Sequence, residues 1–599
     1  MTKPHRLFDC MEKLMDECPD EPLLAAKEGG QWRKYTVKEV ADIVERLSAG
    51  LIALGISPND LSVEKRDKIA VLSKNRPEWV FLDLAVQKIG AVLVPLYPTI
   101  HVTDLEFALN DAQVKLVFVN DEDLFHKVQS VIDRVPSVQQ VYGFEHISGC
   151  KHWKEVLPLG KQEHYQLLET YSAKITTEDL FTIIYTSGTT GTPKGVMLSH
   201  HNVLSNVMAT LPYFPLKAGT RTLSFLPLNH IFERTVTYVY LFAGCTIHYV
   251  ESMDNLGDTI REVKPQMFAT VPRLLEKVYE RIMAKAEELT GVKKKLFFWA
   301  LDLAQKYDIR QPGSFGYRTQ LALANKIIFN KWRQALGNSL EVVVTGAAAC
   351  PVKMIRIFTA AGVPILEGYG QTESSPVISF NRVEPEGRMF GTVGPVIEGV
   401  QVKIAEDGEI LCKGPNVMMG YYKRPDLTAD TVKDGWLYTG DIGQMIENKF
   451  LKITDRKKEI FKTSGGKYVA PLPIETKMVE SPYIEQMMVV GENQKHAGAL
   501  IVPGFHVVRK WCEENKIECP ADNASLIRHP KVLQLFRETV EEMNKNFNAV
   551  EQVKKFELLP SEWTIDGGEL TPNLKLKRKV IMEKYRDAIS RIYNEQKPQ

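Results

Sequence analysis

A chain of 599 residues is longer than one hydrophobic core supports, so two or more domains are expected. Its 44% apolar and 25% charged residues are those of a folded globular protein, which excludes a disordered or membrane-spanning class. With 75 Lys and Arg against 74 Asp and Glu, the formal charge of +1 offers no global field for nucleic acid.

The cysteines Cys10, Cys18, Cys150, Cys245, Cys350, Cys412, Cys512 and Cys519 are scattered, without a CxxC pair or a His/Cys spacing that suits zinc. They read as reduced structural thiols. The opening MTKPHRLFDCMEKLMDECPD is acidic where a secretion signal has an apolar core, and no run of about 18 apolar residues follows. A cytoplasmic location is expected.

Thr36 with Glu39 forms a capping-box signature, and Val37, Val40, Ala41, Val44, Leu47 and Leu51 recur at helical spacing behind it. A strand is predicted over 68–72, a helix over 78–88, a buried apolar run over 91–96, a helix near 104–110 and a strand over 115–119. Such alternation predicts an α/β fold with helices on largely parallel strands. Further strands are predicted over 181–185, 196–198, 341–344 ahead of GAAA, and 363–366 ahead of EGYG. Ligands in α/β folds bind at strand ends, which is where these loops fall.

Between the strands 181–185 and 196–198 lies YTSGTTGTPKG, residues 185–195. Its glycines permit tight turns, Ser187, Thr189, Thr190 and Thr192 supply hydroxyl donors, and Lys194 supplies a cation for phosphate oxygens. The spacing differs from GxxxxGK[ST], and the loop joins two strands rather than opening a helix, so a Walker fold is disfavoured. From Tyr279 to Trp332 the pattern is helical and amphipathic, with Lys293, Lys294 and Lys295 beside an apolar stripe. Packing on the rest of the domain is favoured over a membrane-surface role, because Glu287 and Glu288 flank the lysines. A composition shift after Phe450 sets a boundary near Asp455, followed by a segment the size of a compact domain.

Five segments occur in order: YTSGTTGTPKG, LPLNHIFER, EGYGQTESSP, GWLYTGDIG with DRKKEIFKTSGGKYVAP, and GELTPNLKLKRK. Together they resemble the adenylate-forming superfamily, and within it the long-chain fatty acid CoA ligases, from about Thr36 to about Tyr585. The resemblance implies a large N-terminal domain of stacked sheets and helices, residues 1–454. It also implies a small mobile α+β C-terminal lid, residues 455–599, on a hinge near 455–458 with Lys458 as the pivot.

The implied reaction has two steps. A fatty acid carboxylate attacks the α-phosphate of ATP to give acyl-AMP and pyrophosphate, and the CoA thiol then attacks the acyl carbon and releases AMP. Both reactants of the first step are anions, so neutralisation and positioning must carry it. The resemblance assigns Thr186, Ser187, Gly188, Thr189, Thr190, Gly191 and Lys194 to the β- and γ-phosphates, Thr372 to the α-phosphate and Glu373 to Mg²⁺. Gly346, Ala347, Ala348, Glu367, Gly368, Tyr369, Gly370, Gln371 and Ile453 would form the nucleotide pocket, with Tyr369 stacked on adenine. Asp441 would accept from the ribose hydroxyls and Arg456 would reach ribose or phosphate.

Lys575 corresponds to the lysine that bridges carboxylate and α-phosphate, with Lys577, Arg578 and Lys579 adjacent in register. His230 would sit near the α-phosphate and acyl tunnel, with Phe232 and Val271–Arg273 as tunnel wall or core. Ser464, Gly465 and Gly466 would approach pantetheine after the lid rotates. An adenylate former for another acid or for a carrier protein is the enzymatic rival. A non-catalytic nucleotide-binding protein predicts loss of Lys194, Glu373 or Lys575, and all three are present. Motifs leave chain length, peripheral membrane contact and oligomeric state open, a homodimer included.

Overall fold

The computed structural model describes residues 5–186, 193–311, 313–571 and 575–593. Two eight-stranded sheets dominate the N-terminal part. The first runs in the order Gly420–Tyr421, Lys194–Ser199, Leu180–Thr186, Val92–Leu96, Lys68–Leu72, Val114–Val119, Gln140–Gly143 and Lys151–His152. Its central strands Lys68–Leu72 and Val92–Leu96 pair in parallel and are buried along their whole length, the pattern of strands covered on both faces. The expected helices are Val37–Ala53, Pro77–Lys88 and Val102–Ala112. Thr36 caps the first of these: its Oγ1 accepts from the Glu39 amide at 3.2 Å, and Glu39 Oε2 accepts from the Thr36 amide at 2.8 Å.

The second sheet runs in the order Val377–Phe380, Ile365–Gly370, Val342–Thr345, Met267–Thr270, Arg221–Ser224, Thr246–Tyr249, Pro22–Glu28 and Gln31–Thr36. Here the structure corrects one expectation. The strand placed over 363–366 spans Ile365–Gly370, so EGYG is its C-terminal end and not a following loop. Antiparallel pairing with Val377–Phe380 extends it, and at Gly370 a Cβ would fall 1.6 Å from the Pro376 carbonyl oxygen. Only glycine allows that approach.

Helices Pro77–Lys88 and Ile231–Ala243 pack with strands of both sheets in one buried cluster. The fully buried Arg234 joins them through an ion pair with Asp83, while Tyr238 donates to the same carboxylate at 2.5 Å. Breaking a buried pair on one side costs about 3–5 kcal/mol, so this contact fixes the register of the Ile231–Ala243 helix. The predicted amphipathic segment forms helices Pro272–Glu287, Gly291–Gln305 and Phe315–Ala324, a π-helical turn Asn325–Phe329 and helix Asn330–Ala335. Phe297, Ala300, Leu303, Phe329 and Trp332 bury its inner face against helix Val352–Ala360.

A five-stranded sheet built from Gln401–Ile404, Glu409–Lys413, Val432–Lys433, Trp436–Ile446 and Phe450–Arg456 leads to the C-terminal part. Its buried cluster ends at Ile453, and the next begins at Phe461. Beyond lie a three-stranded sheet of Ile484–Val490, Gly498–Pro503 and Lys555–Leu558, its covering helices and a short hairpin Phe461–Lys462 with Tyr468–Val469. The whole is an α/β N-terminal part with a small α+β C-terminal one.

Candidate active site

A cavity of about 2560 Å³ opens between the two parts of the chain. Strand ends supply its polar wall. Thr186 and Lys194 face each other across the antiparallel ladder of the first sheet, so the two predicted strands flank the glycine-rich segment. Ser187, Gly188, Thr189, Thr190 and Gly191 lie outside the described residues. Lys194 Nζ sits 5.2 Å from the centre of the Tyr421 ring, and the Tyr421 hydroxyl donates to Glu373 Oε1 at 2.8 Å. Edge strand Gly420–Tyr421 thus connects the loop lysine to the carboxylate that follows EGYG.

Tyr369 and Gln371 converge on Asp441. The Tyr369 hydroxyl and Gln371 Nε2 each donate to Asp441 Oδ2 at 2.7 Å, and Arg456 Nε lies 3.4 Å from Oδ1. Asp441 and Arg456 are register partners in the ladder Trp436–Ile446 with Phe450–Arg456, which explains their meeting. Burial and the Asp441 charge push the Tyr369 phenol well above its ordinary pKa, so it remains a donor.

Lys575 enters this cluster from the C-terminal part. Burial lowers its pKa to about 8, with the Arg456 charge adding to the shift and Asp441, Glu459 and Glu373 opposing it. Its backbone is held by Thr571, whose Oγ1 accepts from the Lys575 amide at 3.0 Å. Three residues on, Arg578 turns into the C-terminal part to pair with Glu475 at 2.5 Å and Glu459 at 3.0 Å. Lys577, Arg578 and Lys579 also line the cavity.

His230 caps the Ile231–Ala243 helix, with Nδ1 accepting from the Phe232 amide at 3.2 Å. Burial, aided by the Lys575 charge, lowers its pKa to about 3, so the ring is neutral and carries its proton on Nε2. One turn on, the same helix presents Phe232, Thr235, Val236 and Val239 to the cavity, joined by Phe214, Met267, Val344 and Phe380. This apolar limb meets the polar wall at His230.

Gly346, Ala347, Ala348, Gly368, Gly370 and Thr372 also line the cavity, as does Lys458. Ala347 holds a left-handed backbone with φ 68°, a conformation costly for a residue with a Cβ and one that bends the chain around the wall. Glu367 and Ile453 are not among the lining residues. Glu367 is buried behind the wall, where it accepts from the Cys350 amide at 2.8 Å and burial raises its pKa to about 8. Ile453 packs behind Tyr369. Ser464, Gly465 and Gly466 are exposed on the short hairpin, outside the cavity. Val271–Arg273 line no part of it either; Arg273 forms ion pairs with Glu276 at 2.9 Å and with Glu485 of the C-terminal part.

Sequence reasoning missed Tyr421 and the apolar side chains Val236 and Val239. The latter follow from LPLNHIFER once a helix is started at Ile231, because residues 232, 235, 236 and 239 share one face. Tyr421 pairs with Val196 across 225 residues of chain, a contact that no local pattern encodes.

Residues 11–422 match the pattern of the AMP-binding enzymes, and residues 458–597 match the AMP-binding enzyme C-terminal domain. The chain belongs to the AMP-binding enzyme family. It is 32% identical over 584 residues to the long-chain-fatty-acid–CoA ligase FadD15 of Mycobacterium bovis, covering 96% of this chain and 95% of that one. Among solved structures, the anthranilate CoA ligase AuaEII in complex with anthranoyl-AMP superposes with a TM-score of 0.73 at 17% identity, over 98% of both chains. The O-succinylbenzoate coenzyme A synthetase MenE of Bacillus subtilis, in complex with ATP and magnesium ion, gives 0.66 at 19% identity, over 95% of this chain and 98% of that one. These two establish the shared fold.

Proposed function

We propose that this chain ligates a long-chain fatty acid to CoA through an acyl-adenylate, consuming ATP and releasing AMP and pyrophosphate. The observation that carries the reading is a single cavity. In it an apolar limb meets, at His230, a polar wall bearing Glu373, Asp441, Arg456 and the C-terminal Lys575. CoA-dependent AMP release, assayed across acids of increasing chain length, tests it. Release that rises with chain length is expected; background release for every fatty acid overturns it.

The acid's chain lies in the apolar limb, and its carboxylate emerges at His230, whose Nε2–H donates to an oxygen there. Lys575 neutralises carboxylate and α-phosphate together, which lets two anions approach in line. Thr372 contacts the α-phosphate, while the loop 186–194 holds the departing pyrophosphate. Tyr369 stacks on adenine, its plane fixed by the bond to Asp441. A carboxylate offers about four lone-pair sites, and Tyr369, Gln371 and Arg456 engage three, so one remains for a ribose hydroxyl.

A magnesium ion fits this donor set. Among the described residues no three His, Cys, Asp or Glu side chains form a metal cage, but Tyr421 occupies only one oxygen of Glu373. One carboxylate plus nucleotide phosphates is the environment that Mg²⁺ favours, and the ion would neutralise phosphate charge there.

The second step needs a different surface. We read residues 1–454 as the large domain and 455–599 as a lid pivoting near Lys458; the gap between buried clusters at 453 and 461 supports that division. Rotation withdraws Lys575 and brings Ser464–Gly466 toward the acyl carbon and the pantetheine thiol. Eight free cysteines support a reducing, cytoplasmic setting.

A further inference from the structure

Tyr421 touches two groups that the proposed reaction uses for different ligands, and it stands between them. Its strand Gly420–Tyr421 pairs antiparallel with Lys194–Ser199, with Tyr421 opposite Val196. Residues 194 and 196 share one face of that strand, which makes Lys194 the diagonal neighbour of Tyr421. Lys194 Nζ accordingly lies 5.2 Å from the ring centre, within reach of cation–π attraction. The far end of the same side chain serves the other group, because the phenol hydroxyl donates to Glu373 Oε1 at 2.8 Å.

The backbone around Tyr421 joins the same two segments. The Tyr422 amide donates to the Gly195 carbonyl at 2.7 Å, and the Met418 amide donates to the Glu373 carbonyl at 2.9 Å. The Tyr421 amide is itself held by Thr428 Oγ1 at 2.9 Å. Tyr421 is buried, whereas Lys194 and Glu373 are half-buried on the cavity wall. Opposite charges on one wall attract, and a direct pair would commit both side chains to each other. Among the described residues Lys194 and Glu373 form no ion pair; Tyr421 fills the position between them.

We propose that Tyr421 is a positioning residue that keeps Lys194 and Glu373 from neutralising each other. Its ring reserves the lysine for phosphate oxygens, and its hydroxyl fixes the carboxylate with one oxygen free for Mg²⁺. The proposal rests on the reading of Lys194 and Glu373 given above. A group that orients a metal ligand contributes to metal affinity without touching the ion. The two contributions are separable: Tyr421→Phe keeps the ring and loses the donor, and Tyr421→Leu loses both.

Pyrophosphate binding to the full chain, followed by titration calorimetry with and without Mg²⁺ and in the absence of acid and CoA, tests this without turnover. Without Mg²⁺, Tyr421→Leu should bind about tenfold more weakly than Tyr421→Phe, from the lost ring and the carboxylate that then competes for Lys194. With Mg²⁺, Tyr421→Phe should bind about tenfold more weakly than the parent, the lower end for losing a contact that orients a metal ligand. Adding Glu373→Gln to Tyr421→Leu should recover most of its Mg²⁺-free loss, since no carboxylate is left to capture the lysine. A loss caused by disturbed folding would not be recovered by a second substitution. Equal Mg²⁺-free affinity of the Phe and Leu variants, undiminished Mg²⁺-supported binding by Tyr421→Phe, or no recovery with Glu373→Gln overturns the proposal. A parent chain that binds no pyrophosphate under either condition removes the phosphate reading of Lys194, and the proposal with it.

Discussion

Two surfaces of the C-terminal part meet opposite surroundings. Lys575 is half-buried in the cavity, where desolvation lowers its pKa to about 8 beside Arg456, Asp441 and Glu373, whereas Ser464, Gly465 and Gly466 stand in solvent on a two-stranded hairpin. A lysine costs free energy to desolvate, so its burial must serve a contact with anions. A glycine pair in solvent serves no packing, and its small size becomes useful only where a ligand approaches closely. The difference fits our proposal that Lys575 serves adenylation while Ser464, Gly465 and Gly466 serve thioester formation after the C-terminal part moves.

The largest expected effect breaks the buried side of that comparison. Lys575→Ala should slow acid-dependent ATP–pyrophosphate exchange by about 10³-fold, the upper range for removing one preorganised stabilising group. Lys458→Pro should break the exchange between the two surfaces: adenylation stays near the parent rate, while thioester formation falls by about 10²-fold, the cost of misplaced reacting groups. Equal loss of both steps would remove Lys458 as the pivot.

On the proposed reading, chain-length selection belongs to the apolar limb of the N-terminal part and should be separable from lid motion. Val239→Trp fills the apolar limb and should lower kcat/KM for a long-chain acid by about 10- to 100-fold, the effect of overpacking by 1–3 kcal/mol, and leave a short acid unaffected. A pH profile sharpens the comparison at Lys575. Because its folded pKa is lowered and the protonated form acts, kcat/KM for adenylation should fall as pH rises through about 8; Lys575→Arg should remove that limb. The smallest effect concerns one of the contacts between the two parts. Arg273→Ala loses the pairs to Glu276 and Glu485, a contribution of about 1 kcal/mol, so adenylation should drop about fivefold.

Legibility in the sequence followed the range of the interaction. Strands Lys68–Leu72 and Val92–Leu96, the Thr36 capping box and the amphipathic helices were readable, since each depends on periodicity within a few residues. The motif residues Glu373, Asp441, Arg456 and Lys575 do meet in one cavity, but their order along the chain does not reveal who bonds to whom. Tyr369 and Gln371 share one oxygen of Asp441, and Tyr421 donates to Glu373; both contacts join elements that are not neighbours in any one sheet, so they depend on how the sheets pack together. Glu367 misled for the opposite reason. It stands beside ligand-facing residues, but its carboxylate is buried and committed to the Cys350 amide. Arg273, read as tunnel wall or core, reaches the C-terminal part because the Pro272–Glu287 helix opens beside Glu485.

The central claim is that one mobile lid works in two steps with two different surfaces. It is tested most directly by giving Lys575→Ala preformed acyl-adenylate and CoA. Thioester should then form at close to the parent rate, although the same preparation fails to make the adenylate from acid and ATP. A loss of thioester formation equal to the loss of adenylation would contradict the account.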